Sequence, residues 1–332
     1  MPKICYKPSR FSSKAMDIIT KANAIIEEYT KQGYNLTLRQ LYYQFVARDL
    51  FPDDWLMSYV GSKWVKDLDK GTKNNGPNYT KLQGLISEAR TAGLVDWLAI
   101  VDRTRGMVKN NHWTKPSEII KSAADNYAVD KWFNQPYYVE VWVEKDALAG
   151  VLQGACSKLD VPFFACRGYT SSSEIWVAAQ RLADRIAVGK KVIIVHLGDH
   201  DPSGIDMSRD IKDRLSLFSS SDIPVLRVAL NMSQIRRYNP PPNFAKTTDA
   251  RYESYRAKYG DQSWELDALS PNDLVEIVNR AVLHYRDENL WNESVKLEER
   301  GRKTLNAIVQ EFPQVVSFLK ETINAEKEVR LD

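Results

Sequence analysis

Apolar side chains recur every three or four positions in the first hundred residues of the chain. That spacing places them on one face of a helix and predicts amphipathic helices. The first helix begins at Ser12 or Ser13 and ends near Gly33, because serine caps helix starts and glycine often follows helix ends. Thr37 is positioned to cap the second helix. The predicted helices cover residues 12–33, 38–47 and 80–91.

A different pattern begins at about residue 136, where short apolar runs alternate with helical segments. The run from Val192 to Val195 has four consecutive apolar residues, as a buried parallel strand requires. Strands that alternate with helices predict an α/β fold with a parallel four-stranded sheet. The predicted strands are 139–143, 162–166, 191–197 and 223–230, the helices between them are 146–159, 173–186 and 205–217, and amphipathic helices follow at 271–285 and 304–325.

The first segment has the order of elements found in a winged-helix module. Residues 97–101 are predicted to form a strand after the third helix, and a basic hairpin-like turn follows at 102–105. Three short helices and a basic wing are the order expected of a winged-helix DNA-binding domain. Arg103 and Arg105 are therefore candidate contacts to the DNA backbone, with an ordinary surface position as the alternative.

Length and charge favour a division into two parts. The 332 residues carry 46 Lys and Arg against 43 Asp and Glu, a net charge of +3. A chain of this length suits two domains. Residues 1–135 carry 20 basic and 14 acidic side chains, and residues 136–332 carry 26 and 29, so the balances are +6 and −3. Unless the split arises by chance, it predicts a polyanion partner for the first domain and a bound cation for the second.

Several classes of protein are excluded by residues that the chain lacks. Its three cysteines form no C-x-x-C pair, which excludes a disulfide framework and a thiolate zinc site. Its four histidines include no H-E-x-x-H motif, which argues against a histidine-based zinc hydrolase. No apolar stretch approaches the roughly 20 residues that cross a bilayer. We expect a cytoplasmic protein, or alternatively a nuclear one, without membrane contact.

Carboxylates follow two of the predicted strands. Glu144 follows the first strand, and Asp199 and Asp201 follow the third. The carboxyl ends of parallel strands share one edge of the sheet, where ligands bind. Three carboxylates with room for water suit Mg²⁺, with acids that merely cap the next helix as the alternative. Lys145 comes directly after Glu144 and is either a phosphate contact or a solvated lysine.

Three motifs together resemble a known family. The segment from Val143 to Ala147 and the segment from Asp199 to Gly204 resemble the two acidic motifs of a Toprim domain. The run from Leu38 to Tyr43 resembles the Arg-x-x-Tyr-Tyr signature of the DNA-cleaving subunit of topoisomerase VI, a type IIB topoisomerase, and of its relative, the transesterase that makes meiotic double-strand breaks. The run from Trp264 to Leu269 resembles a segment that follows Toprim in that family. The resemblance spans residues 12–285 and indicates a compact relative of the kind carried by phages and mobile elements.

This resemblance implies a fold and an activity. The fold would be an N-terminal winged-helix domain, a Toprim domain and a helical C-terminal extension. Tyr43 would attack a phosphate of double-stranded DNA and form a 5′-phosphotyrosyl link. Glu144, Asp199 and Asp201 would hold Mg²⁺, or alternatively Mn²⁺, with Lys145 in the catalytic set. The family also implies a homodimer in which the tyrosine of one chain faces the metal of the other. The expected location is the cytoplasm, either associated with the nucleoid or in a phage-infected cell.

The spacing of Arg39 and Tyr43 is consistent with this chemistry. Four residues apart on one helix, they project from the same face. A tyrosine is a poor nucleophile at neutral pH, and a neighbouring guanidinium would favour the phenolate and bind the phosphate under attack. The alternative is that Tyr42 and Tyr43 are both core aromatics of an amphipathic helix.

Other positions are open between a functional and a structural role. Tyr169 follows the second strand, in a loop that can approach DNA or can simply lead into the next helix. Glu265 and Asp267 are candidates for a further metal contact, although a structural role is favoured. His200 stands where the family often has glycine, and its bulk would alter metal preference. His196 alternates with apolar strand residues and is interpreted as a core histidine.

Two other functions remain open, and one partner is implied. A Toprim nuclease would hydrolyse DNA without a covalent intermediate, and a winged-helix DNA-binding protein would have no catalysis. The sequence has no G-x-x-x-x-G-K-[ST] motif. The resemblance therefore implies that strand passage would need a separate ATPase similar to the ATP-binding subunit of topoisomerase VI, whereas cutting and rejoining alone would not.

Overall fold

A computed structural model describes residues 3–101 and 110–329 of the chain. Its contacts divide the chain into two compact units. The first unit contains Met1–Arg105 and Val139–His284, and the second contains Gly106–Tyr138 and Tyr285–Asp332. The predicted division into residues 1–135 and 136–332 is based on the sequence pattern and stays a prediction.

Helices and strands are numbered along the chain, and three short 3₁₀ helices are named by residues. The α-helices are α1 (Ser13–Lys31), α2 (Leu38–Ala47), α3 (Gly76–Thr91), α4 (Pro116–Asn126), α5 (Ala149–Leu159), α6 (Ser172–Ala187), α7 (Pro202–Ser219), α8 (Met232–Tyr238), α9 (Tyr252–Tyr259), α10 (Pro271–Leu283), α11 (Glu288–Gln310) and α12 (Phe312–Val329). The strands are β1 (Met57–Val60), β2 (Lys63–Lys66), β3 (Tyr137–Val143), β4 (Phe163–Ala165), β5 (Lys191–Leu197), β6 (Val225–Ala229), β7 (Asn243–Phe244) and β8 (Gln262–Ser263). The 3₁₀ helices are Asp53–Trp55, Asp146–Leu148 and Leu266–Ala268.

The three helices predicted in the first hundred residues are confirmed. The Ser12 side chain accepts a hydrogen bond from the first turn of α1, and Thr37 forms a reciprocal capping box with Gln40 at the start of α2. Helix α3 begins four residues earlier than predicted, because Asn75 caps it and Pro77 fits its first turn. The apolar faces of these helices form one buried cluster.

The β structure of this region differs from the prediction. A hairpin of β1 and β2 lies between α2 and α3, closed by Gly61 and Ser62 with φ of 53° and 67°. The predicted strand at 97–101 is wrong, since it contributes only one bridge, between Leu36 and Ile100. Its start forms a turn instead, in which the Asp96 carboxylate accepts the Leu98 amide. The winged-helix arrangement is not confirmed, and the predicted wing with Arg103 and Arg105 lies outside the described residues.

A four-stranded parallel sheet confirms the predicted α/β architecture. Its strand order is β4-β3-β5-β6. Val141 pairs with Phe163 and Ile194 pairs with Val225. The central strands β3 and β5 are buried along almost their whole length, as continuous apolar runs require. Their carboxyl ends therefore lie side by side in the middle of the sheet edge.

The helices around the sheet have boundaries that differ from the predicted ones. Helix α5 packs on α10, and α6 packs on α7. Helix α7 begins at Pro202 rather than at residue 205, because Asp201 caps it. The predicted helix at 304–325 corresponds to parts of two helices, α11 and α12, which are separated at Glu311.

The second unit is built from α4, α11 and α12. Helix α4 packs along α11. The Lys131 ammonium lies 2.6 Å from a carboxylate oxygen of Glu298, and Trp132 contacts Trp291 edge-on. Among the residues described for both units, no helix combines the length and the apolar character needed to span a membrane.

Candidate active site

The ends of β3 and β5 bring Glu144 and Asp199 together. The Glu144 amide donates to the Leu197 carbonyl at 2.9 Å, which continues the pairing of the two strands. The Asp199 amide then donates to Oε2 of Glu144, also at 2.9 Å. A Cβ at Gly198 would lie 2.9 Å from that same Glu144 oxygen, so a larger residue there would displace the Glu144 carboxylate.

Asp201 has the capping role that was the alternative to metal binding. Its Oδ1 accepts the Gly204 amide at 2.6 Å and the Ser203 hydroxyl at 3.1 Å. A Cβ at Gly204 would lie 2.3 Å from the Asp199 carbonyl oxygen, so this turn excludes any larger residue. One oxygen of Asp201 is therefore committed to the first turn of α7.

The segment that begins at Trp264 adds two acids to this edge. His200 and Trp264 exchange backbone hydrogen bonds of 2.8 and 2.9 Å. The Leu266 amide donates to Oδ1 of Asp199 at 2.7 Å. These bonds bring Glu265 and Asp267 to the strand ends. A structural role was favoured for both acids from the sequence, and their resemblance to a family motif was the signal that could have placed them here.

Lys145 lies at the centre of the carboxylates. Its Nζ is 2.9 Å from Oδ2 of Asp199, 2.5 Å from Oε2 of Glu265 and 2.9 Å from Oδ1 of Asp267. Although burial lowers the pKa of Lys145, the carboxylates of Asp267, Asp199 and Glu265 raise it well above its ordinary value. The lysine is therefore a buried, fully charged cation.

Arg39 and Tyr43 reach the same cluster from α2. Nε of Arg39 donates to Oδ2 of Asp267 at 3.0 Å, and Nη2 donates to Oε2 of Glu265 at 2.7 Å. Nη2 also lies 3.4 Å from the Tyr43 hydroxyl oxygen. The predicted pair is thus brought next to Lys145 and the acids, within one compact unit.

Tyr43 is held in a state that disfavours its phenolate. Only 4% of the residue is exposed. Burial raises the pKa of Tyr43, the carboxylates of Asp267 and Glu265 raise it further, and Arg39 lowers it by less. The sequence predicted that Arg39 would favour ionisation, but two carboxylates already neutralise its guanidinium. Tyr43 is protonated in this conformation.

The acids of the cluster differ in their electrostatic surroundings. Burial raises the pKa of Asp199 to about 8 even though Lys145 opposes the shift, and burial also raises the pKa of Glu144. By contrast, Lys145 and Arg39 overcome the effect of burial at Glu265 and lower its pKa to about 2. Negative charge is therefore poorly compensated around Glu144 and Asp199 and well compensated around Glu265.

The donor set fits a hard divalent cation. Five carboxylates (Glu144, Asp199, Asp201, Glu265 and Asp267) face the cations of Lys145, Arg39 and Arg227. Carboxylate oxygens are the ligands that Mg²⁺ prefers. Even so, no group of three or more His, Cys, Asp or Glu side chains has the arrangement of a metal site anywhere in the part of the chain that the structure describes. Lys145 lies between the acids, and Asp201 is turned to its helix.

Both histidines near this edge are structural. His200 is 2% exposed, and its Nδ1 lies 2.8 Å from the Tyr255 hydroxyl within a cluster of aromatic rings. Burial lowers the pKa of His200 to about 4. His196 is fully buried in β5 with Nδ1 at 2.8 Å from Oγ of Ser208, as expected of a core histidine.

Tyr169 lies beside the start of α7, where its hydroxyl oxygen is 3.3 Å from the carbonyl oxygen of Ser203, two residues after Asp201. Tyr169 is 43% exposed, and its hydroxyl donates to Asp206 at 2.9 Å. The Arg251 guanidinium lies 5.2 Å from the centre of the Tyr169 ring. This loop presents an aromatic ring beside an arginine, whereas Arg103 and Arg105, the other two predicted DNA contacts, are outside the described residues.

Comparison with known proteins adds no assignment. No protein-family model matches the chain, and no curated protein matches it at a significant level.

Proposed function

We propose that the protein is a metal-dependent DNA transesterase similar to the DNA-cleaving subunit of topoisomerase VI, which makes double-strand breaks through a 5′-phosphotyrosyl intermediate. The observation that carries the proposal is the meeting of two sequence motifs at one point. Arg39 and Tyr43 on α2 lie against Lys145, Glu265 and Asp267, beside the strand ends of a parallel sheet. A sheet of this topology is compatible with a Toprim core, and its carboxyl edge is where such a fold carries its chemistry.

The proposed reaction uses residues of the cluster together with water and a divalent cation. Tyr43 attacks phosphorus through its hydroxyl oxygen, the bond from phosphorus to the 3′ oxygen breaks, and the 3′ oxygen takes a proton from water. The phenolic proton passes to water, because the pKa of the neighbouring Glu265 carboxylate, lowered to about 2, makes that group a weak base. Arg39 pairs with the phosphate oxygens as charge develops. A divalent cation held by Glu144, Asp199 and Asp201 would stabilise that charge on the phosphate and the leaving oxygen.

The conformation of α2 must change before this reaction. Tyr43 is 4% exposed, so a DNA phosphate cannot reach its hydroxyl while Arg39 remains paired with Glu265 and Asp267. We propose that a duplex phosphate, which binds guanidinium well, releases Arg39 from those acids. The proposal includes a homodimer whose two sites cut the two strands, with closed twofold symmetry. The resemblance implies that Tyr43 faces the acids of the partner chain, whereas in this single chain Arg39 and Tyr43 lie against the acids of their own chain. A separate ATPase would be needed for strand passage but not for cutting and rejoining.

The decisive test is the detection of protein on the 5′ ends of cut DNA. Plasmid is incubated with the protein and Mg²⁺ or Mn²⁺, the reaction is stopped with denaturant, and 5′ ends are assayed for a phosphotyrosyl adduct. Tyr43→Phe should abolish both cleavage and adduct. Tyr29→Phe is the matched control, because Tyr29 is equally buried in the same core cluster and should leave both unchanged.

A hydrolytic Toprim nuclease is the second candidate. The observation that favours it is the burial of Tyr43 together with its raised pKa, which are properties of a packing residue. In that case Tyr43→Phe would retain cleavage, and no adduct would form on either protein. A DNA-binding protein without catalysis would give no metal-dependent cleavage at all, with or without Asp199→Ala and Asp201→Ala.

A further inference from the structure

We propose that Lys145 is an internal counter-ion of the carboxylate cluster, and that a divalent cation binds there only by displacing the lysine ammonium. The inference rests on the part of the proposed function that assigns a cation to these acids. It adds a residue that controls when the cation can bind. The sequence offered only a phosphate contact or a solvated side chain for Lys145.

The ammonium group is coordinated much as a small cation would be. A lysine ammonium has three donors. In this cluster the three short contacts go to three different carboxylates, those of Asp199, Glu265 and Asp267, at 2.5 to 2.9 Å. The Lys145 side chain is 15% exposed and that of Asp267 is 0% exposed, so little water competes for these contacts. Lys145 occupies a cation position that the fold has built from its own residues.

The oxygen that a metal would need is the one that Lys145 holds. Oδ1 of Asp199 accepts the Leu266 amide at 2.7 Å, which leaves Oδ2 for a cation. Nζ of Lys145 lies 2.9 Å from that Oδ2. Oε2 of Glu144 and Oδ1 of Asp201 are likewise occupied by backbone amides. A divalent ion at Asp199 would therefore lie within a few ångströms of the ammonium, where the repulsion of like charges is strong.

Displacement of Lys145 leaves the remaining acids compensated. Arg39 contacts Oδ2 of Asp267 and Oε2 of Glu265 independently of the lysine. The fully buried Asp267 carboxylate thus keeps an ionic partner when Lys145 leaves. The flexible four-carbon stem of a lysine allows its charge to move by several ångströms without a change in the backbone. The cluster can consequently exchange one cation for another without an unpaired buried charge at Asp267.

The test measures binding of Mn²⁺ to the full-length protein without DNA. Isothermal titration calorimetry compares wild type with Lys145→Met. The variant should bind Mn²⁺ roughly tenfold more tightly or better, because a competing charge within the site is gone. Lys73→Met is the matched control, since Lys73 is 11% exposed and bonded to two carboxylates at 2.7 and 2.8 Å, and it should leave the affinity unchanged. Equal or weaker binding by Lys145→Met would overturn the proposal.

A second measurement needs no variant and so does not depend on the folding of Lys145→Met. Wild-type protein is acetylated briefly with and without Mn²⁺, and each lysine is quantified by peptide mass spectrometry. Mn²⁺ should accelerate labelling of Lys145 several-fold and leave Lys73 unchanged. Labelling of Lys145 that is unchanged or slower at saturating Mn²⁺ refutes displacement, as does a protein that binds no Mn²⁺. Displacement of Lys145 can fail while the phosphotyrosyl assay still detects an adduct, so the transesterase proposal is tested separately.

Discussion

Asp267 is the side chain on which the link between α2 and the sheet edge most depends. Its carboxylate is fully buried and accepts from Nε of Arg39 at 3.0 Å and Nζ of Lys145 at 2.9 Å. Asp267→Asn keeps the shape and removes the charge. Removal of one partner from a buried ion pair costs about 3–5 kcal/mol. Lys145 and Arg39 each keep Glu265, and Arg39 is 48% exposed, so we expect a loss of about 2 kcal/mol in the free energy of unfolding.

Urea unfolding followed by near-ultraviolet circular dichroism measures this loss. With a urea m-value of about 3 kcal/mol/M, a loss of that size lowers the midpoint by roughly 0.7 M. Glu28→Gln is the control, because it removes one carboxylate from a pair with Arg48 that is largely exposed, and such pairs contribute about 0–1 kcal/mol. A midpoint for Asp267→Asn no lower than that of Glu28→Gln would refute the claim that the buried network stabilises the fold.

Local features of a turn, a buried histidine and a helix cap give three more predictions. Gly204→Ala should lower the free energy of unfolding by about 2 kcal/mol or more in the same urea assay, because the new Cβ would clash with the Asp199 carbonyl. Gly84→Ala in α3 is the control. Its Cβ would meet nothing within 4 Å, so it should raise the free energy of unfolding by about 0.5–1 kcal/mol. Burial lowers the pKa of His196 from 6.5 to about 3. Below pH 6.5 the imidazole is therefore protonated in the unfolded chain but not in the folded protein. The free energy of unfolding should then fall by up to about 1.4 kcal/mol per pH unit. His196→Gln should show a shallower fall between pH 6.5 and pH 5, and an identical slope would contradict the assignment. Thr37→Ala should cost about 1 kcal/mol by loss of the capping box, as measured by thermal unfolding against Thr20→Ala, whose hydroxyl bonds only within α1.

The parts of the fold that depend on local sequence were predictable. Caps such as Ser12 and Thr37 act within a single helical turn, so residue type and spacing were sufficient to predict α1 and α2. The hairpin of β1 and β2 was missed, although Gly61-Ser62 between two short β-prone runs was an available signal. The strand predicted after α3 does not form, because the Asp96 carboxylate accepts a hydrogen bond from the Leu98 amide and holds the backbone in a turn.

The sequence predicts only the part of the candidate site whose position is determined by the topology of the parallel sheet. Parallel strands end at the same edge, so the proximity of Glu144 and Asp199 follows from the alternation of strands and helices. The position of Glu265 and Asp267 at the strand ends depends on the backbone pairing of His200 with Trp264, and these two residues are far apart in the sequence. No local pattern encodes such a contact, and only the motif resemblance pointed to the segment.

Charge explains why the same acids permit two states of the site. In the state that the structure shows, Lys145 and Arg39 form ion pairs with the acids Asp199, Glu265 and Asp267. Tyr43 is buried and protonated in this state. Lys145 would become available when a divalent ion replaces it at the acids, and Arg39 would become available when a duplex phosphate competes for its guanidinium. A divalent ion and a DNA backbone together supply both requirements, since one neutralises carboxylates and the other binds guanidinium and ammonium groups. In the proposed transesterase reaction, the network would therefore keep Tyr43 inactive until metal and DNA are both present.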